Sequence, residues 1–149
     1  MKLKLMESIA WNRFDKFEGI TDKYMPRIGE GETMASQIVT AVNKLIYKWY
    51  NDGDVFDNGY GLRGWANDLS SYANWLYKNI LETRPILKRI EQDTEMSYSE
   101  TLFLLAEKVL NPEFLAKYEN KEARGSIYSC EGPFEFVYYD EDEEDDYYD

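Results

Sequence analysis

Hydrophobic and polar positions recur along this chain with the 3.6-residue period of helices buried on one side. The clearest stretch runs from about Glu32 to Tyr50. Met34, Ile38, Val42, Leu45 and Trp49 share one helical face, widened by Val39 and Ile46, while Gln37, Asn43, Lys44 and Lys48 fall on the other. Thr33 or Glu32 is placed to cap this helix, and Asn51-Asp52-Gly53 stops it. Residues 2 to 17 predict an earlier helix with Leu3, Met6, Ala10, Phe14 and Phe17 in one stripe. Gly19 would end it, with Pro26, Gly29 and Gly31 marking a loop. A third helix is expected from about Trp65 to Leu81, turning Trp65, Leu69, Tyr72, Ala73, Leu76 and Ile80 inward.

Local signals set the later boundaries. Pro85 suits the first turn of a short helix ending near Asp93, with Thr83 close to the capping position. Ser97-x-x-Glu100 has the capping-box pattern ahead of the apolar run Leu102 to Leu110. Asn111-Pro112 reads as a cap and first turn of a last helix to about Glu122, closed by Gly125. Beyond it, Ile127 to Cys130 and Phe134 to Tyr139 are β-formers around the turn Glu131-Gly132-Pro133, which predicts a hairpin. Two strands alone are marginal in water, so this hairpin is expected to pack on the helices. The expected fold class is mainly α. A compact domain of about five helices occupies residues 1–125, a small β-hairpin 126–139, and a disordered acidic tail 140–149.

Composition narrows the chemistry. The chain has 149 residues, 16% of them aromatic, enough to build a core without disulfides or metal. The single Cys130 excludes an intramolecular disulfide and fits a reducing cytosol. No apolar run approaches the roughly 20 residues of a membrane span, so a soluble, intracellular protein without a membrane partner is expected. Histidine is absent, which removes Ser-His-Asp triads, Cys-His pairs and imidazole metal ligands; one cysteine removes thiolate zinc sites. The expectation is a non-enzyme with no cofactor and no metal.

Three constellations have simpler readings than the motifs they resemble in letters. Gly59-x-Gly61-x-x-Gly64 has the dinucleotide-fingerprint spacing, but the preceding Asp54 to Asn58 is too polar and short for a buried parallel strand. It reads as a glycine-rich turn between helices. Asp52, Asp54 and Asp57 offer hard oxygen ligands for a divalent cation, yet an EF-hand register started at Asp52 fails at Phe56, Asp57 and Arg63. Turn chemistry accounts for them. Trp49 and Trp65 fall with inward stripes, as core residues do. Trp75 is offset from Leu76 and is expected to be partly exposed, a candidate contact.

Charge is distributed unevenly. The net charge is −12, and the segment Asp140 to Asp149 (DEDEEDDYYD) holds eight carboxylates and no base. Residues 1–139 are left with 21 acids against 17 bases, a net charge of only −4. The bases are scattered, with Lys88-Arg89 their single adjacent pair, so direct nucleic-acid binding is disfavoured. Extended at about 3.4 Å per residue, ten residues reach roughly 34 Å. The segment then carries one charge per roughly 4 Å, close to the roughly 3.4 Å phosphate spacing of one duplex strand. Tyr138, Tyr139, Tyr147 and Tyr148 add flat rings of the kind that bases present to aromatic platforms.

In size, charge, aromatic richness, lack of histidine and the DEDEEDDYYD segment, the chain resembles the small acidic anti-defence proteins of bacteriophages and mobile elements. Those are the DNA-mimicking anti-restriction and anti-CRISPR proteins. The likeness is one of overall character across the whole chain. It implies a non-enzymatic inhibitor, acting in the cytoplasm of a bacterial host, whose partner is a basic nucleic-acid-binding protein such as a nuclease of a restriction or CRISPR complex. Asp140, Glu141, Asp142, Glu143, Glu144, Asp145 and Asp146 are the candidate electrostatic contacts, with Tyr147 and Tyr148 stacking. Two other readings stand beside it. One is a structural or adaptor protein that binds through its aromatic helical surface, the tail being only solubilising. The other is a carboxylate site at Asp52, Asp54 and Asp57.

Overall fold

A computed structural model describes residues 13–25, 33–50, 61–92 and 95–134, with the side chains of 48–50, 61–68 and 95–97 left aside. Among the described residues the fold is helical. A 3-10 turn at Asp15–Phe17 leads into α1 (Glu18–Tyr24), followed by α2 (Met34–Tyr50) and α3 (Gly61–Asn79). A second 3-10 turn, Leu81–Thr83, precedes α4 (Arg84–Gln92), then α5 (Glu95–Val109) and α6 (Pro112–Ala116).

Helix α2 is the centre. It packs against α1, α3 and α5, and α4 joins α3 to α5 on the far side. Because it has neighbours on three sides, every residue from Met34 to Val42 is buried. Gln37, expected to face away, is therefore inside the protein. A two-faced pattern cannot show this: a helix surrounded by others buries its polar face as well, provided each polar group finds a partner. Ser36 and Thr40 do so locally, Thr40 Oγ1 donating to the Ser36 carbonyl at 2.9 Å.

The N-terminus of α2 is equally well paired. The first N–H groups of a helix have no intrahelical acceptor, which is costly in a buried helix. Thr33 caps it as expected: its Oγ1 accepts from the Ser36 N–H at 3.1 Å, and Ser36 Oγ accepts from the Thr33 N–H at 3.0 Å. Ser36 thus fills the place a Glu takes in a capping box. The next two donors go to main chain elsewhere, Met34 to the Lys121 carbonyl at 2.8 Å and Ala35 to that of Tyr118 at 3.2 Å. An isolated antiparallel bridge between Thr33 and Glu122 completes the junction.

Several boundaries differ from the expected ones. Gly19 lies inside α1, where a Cβ would meet open space, so it neither stops the helix nor fills a tight spot. Helix α3 begins at Gly61, and Gly61 and Gly64 belong to its opening turns instead of the connection before it. Thr83 is no cap. Fully buried, its hydroxyl donates to the carbonyls of Leu76 and Ile80 at the end of α3. Ser97 lies within α5, which starts at Glu95. Asn111 caps α6 as read, Oδ1 accepting from the Glu113 N–H at 2.9 Å with Pro112 in the first turn, but that helix ends at Ala116 and turns follow. Gly125 sits at φ 69°, in the left-handed region.

The hairpin reading fares differently from the helices. Its first half, Ile127 to Cys130, and the turn after it contain no strand. The second half, Glu135 to Tyr139, lies outside the described residues, as do residues 1–12, 26–32 and 51–60.

Candidate functional site

In place of a strand, Arg124 to Phe134 forms a strap laid along α3. Its described links run through α3 side chains. Trp75 Nε1 donates to the Arg124 carbonyl at 2.8 Å, holding the near end. At the far end, Asn74 grips the backbone of Phe134 from both sides. Its Oδ1 accepts from the Phe134 N–H at 3.0 Å, and its Nδ2 donates to the Phe134 carbonyl at 3.4 Å. A side-chain amide carries the same donor and acceptor as a peptide group, so Asn74 stands in for a neighbouring strand. It is only 3% exposed. Ile127 and Phe134 are the strap's buried apolar anchors. Phe134 meets the Tyr77 ring edge to face at 5.0 Å, and Tyr128 meets Tyr72 at 5.9 Å.

Glycine at 132 is required by this contact. A Cβ there would lie 2.7 Å from Asn74 Oδ1 and 2.8 Å from Asn74 Cγ, inside van der Waals contact. Trp75, expected to be partly exposed, is 1% exposed because the strap covers the flank of α3 on which it lies. It is a structural residue in this fold and leaves the set of candidate contacts. The side chains of Trp49 and Trp65 are not among those described.

The candidate contacts Asp140 to Asp146, Tyr147 and Tyr148 lie outside the described residues, as do Asp52, Asp54, Asp57 and Gly59. In the sequence, Asp140 follows the clamped Phe134 by six positions. Among the described residues no group of carboxylates or thiols is arranged to hold a metal ion, and no helix is long and apolar enough to cross a membrane.

The described body spends many of its cations on its own surface. Arg13 pairs with Glu100, and its guanidinium lies 3.8 Å from the Phe103 ring centroid. Lys16 is 4.6 Å from the same ring and 3.9 Å from Glu107. Phe103 also receives Phe14 and Phe17 at 5.7 and 6.0 Å, so this group ties the N-terminal segment to α5. Arg84 donates from Nε to the Tyr77 carbonyl at 2.8 Å and lies over the Tyr77 ring, completing the end of α3. There a cation also complements the helix dipole. Near α1, Lys23 and the Tyr24 hydroxyl both reach Glu119. The hydrogen bond to Glu119, then burial, raises the Tyr24 pKa above its ordinary value. Burial, with Glu82 nearby, does the same for Tyr118.

A cleft of about 510 Å³ opens between α1 and α2. Phe17, Ile46 and Leu110 give it an apolar floor, and Asp15, Glu18 and Lys44 put charges around it. Two lining residues are unusually exposed for their size, Met25 at 45% and Tyr47 at 59%. The sequence pattern did not single out this cleft, because Tyr47 falls between the two faces of α2 and Met25 lies beyond α1.

Comparison with known proteins gives no relative to argue from: the chain matches no protein-family model, no curated protein and no solved structure.

Proposed function

We propose that the protein is a non-enzymatic inhibitor that seats its acidic segment, Asp140 to Asp149, in the nucleic-acid-binding groove of a basic host-defence protein. The supporting observation is charge spacing: eight carboxylates in ten residues, beside Tyr147 and Tyr148, match the charge density of one nucleic-acid strand. A groove lined by Lys and Arg can pair with such a segment as it does with phosphates, releasing counterions to solvent. An anti-restriction or anti-CRISPR role follows from this reading. Affinity capture from a bacterial lysate with the full chain, with and without competing single-stranded DNA, tests it. The expected result is a basic nucleic-acid-binding protein displaced by the DNA and absent from capture with a chain lacking residues 140–149. Capture unaffected by DNA, or by the deletion, rejects it.

The α1–α2 cleft favours a second reading, an adaptor that takes an apolar partner side chain between Met25 and Tyr47. Its binding would be indifferent to salt and weakened by Tyr47→Glu. Deleting 140–149 would leave it intact.

A further inference from the structure

We infer that the Arg124–Phe134 strap is a latch that opens as a unit while the helical core stays folded, with Asn74 as its catch. Three observations support this. The strap has neither helix nor strand, and from Tyr128 to Pro133 its residues are exposed or half-buried, so its buried apolar hold is confined to the two anchors Ile127 and Phe134. Its described hydrogen bonds to the body come from side chains, Trp75 at the base and Asn74 at the tip, with no ladder between. Segments of this kind open at lower free energy than the core they lie on. Third, the two ends are built differently. The base begins just after the Thr33–Glu122 bridge, so Arg124 lies on the moving side, while the tip depends on the close approach of Gly132 to Asn74. Opening uncovers Trp75 and the rings of Tyr72 and Tyr77 on α3 and leaves the α2–α3–α5 packing untouched. The device stands whether or not the acidic segment binds a partner.

Hydrogen exchange of the Trp75 indole N–H in the full chain reads the latch directly, because that proton is bonded to the Arg124 carbonyl. Its NMR signal is assigned by its loss in Trp75→Phe. In the unmodified protein the indole is expected to be protected at least about 100-fold less than the backbone amides of Val42 and Leu76 in the core helices. Gly132→Ala, which removes no hydrogen-bonding group, is expected to lower the indole's protection by about tenfold or more while the far-UV helical signal stays constant. Equal protection of the indole and the two core amides would overturn the latch, since strap and core would then open together. Unchanged indole protection in Gly132→Ala would overturn Asn74 as the catch. If that variant fails to fold, the comparison within the unmodified protein still decides.

Discussion

Helix α2 and the Arg124–Phe134 strap both carry buried side chains, yet their backbones are paired by different means. In α2 the N–H groups bond within the helix, and its N-terminal donors find Thr33, Ser36, Tyr118 and Lys121. In the strap, one asparagine from 60 residues earlier in the chain does the work of a missing neighbouring strand. A backbone-paired element can fail only with the fold around it. A side-chain-paired element can detach alone, and a single substitution can release it.

This contrast is sharpest under truncation of α2. Ile38 is fully buried in its second turn, and Ile38→Ala should lower the unfolding free energy by about 2–5 kcal/mol, through lost burial and an uncollapsed cavity. Urea denaturation followed by circular dichroism measures it. Asn74→Ala should cost about 1–3 kcal/mol, since it strands the buried Phe134 main chain. Here, however, the loss has a ceiling. Once the strap is open, further damage to its closed state costs nothing, so adding Gly132→Ala to Asn74→Ala should give much less than the sum of the two. Additive losses in that pair would break the comparison.

Smaller effects refine it. Thr33→Ala removes the acceptor for the Ser36 N–H and should cost about 0.5–2 kcal/mol in the same denaturation experiment. Gly19→Ala should act in the opposite direction. Its helical site has open space for a methyl group, so the melting temperature should rise with a stabilisation of about 0.4–1 kcal/mol. A fall would mean that α1 is not the helix described.

What could be read from the sequence followed the same division. The stripe of α2, the Thr33 cap and the Asn111-Pro112 start of α6 are local signals and reappear in the fold. Periodicity misplaces Gln37 and Trp75 because it assumes one buried face. Gln37 belongs to a helix enclosed on three sides, and Trp75 is covered by a segment 49 residues away. Asn74 carried no signal: an asparagine in a helix looks like a solvated position until the chain returns to it. The β-formers Ile127 to Ser129 make turns and a bend instead of a strand, and within the described residues it is the Phe134 backbone that bonds to that side chain. For the acidic segment, composition alone speaks, and the fold supplies only the place where the chain leaves Phe134.

The functional account is tested most directly by titrating the captured partner with the full chain and with a chain lacking residues 140–149, at about 50 and about 300 mM salt. The account predicts that the full chain binds at low salt and weakens by about tenfold or more at high salt, as counterion release requires. It also predicts that the truncated chain loses this binding at low salt. Equal affinity of the two chains at low salt would contradict it.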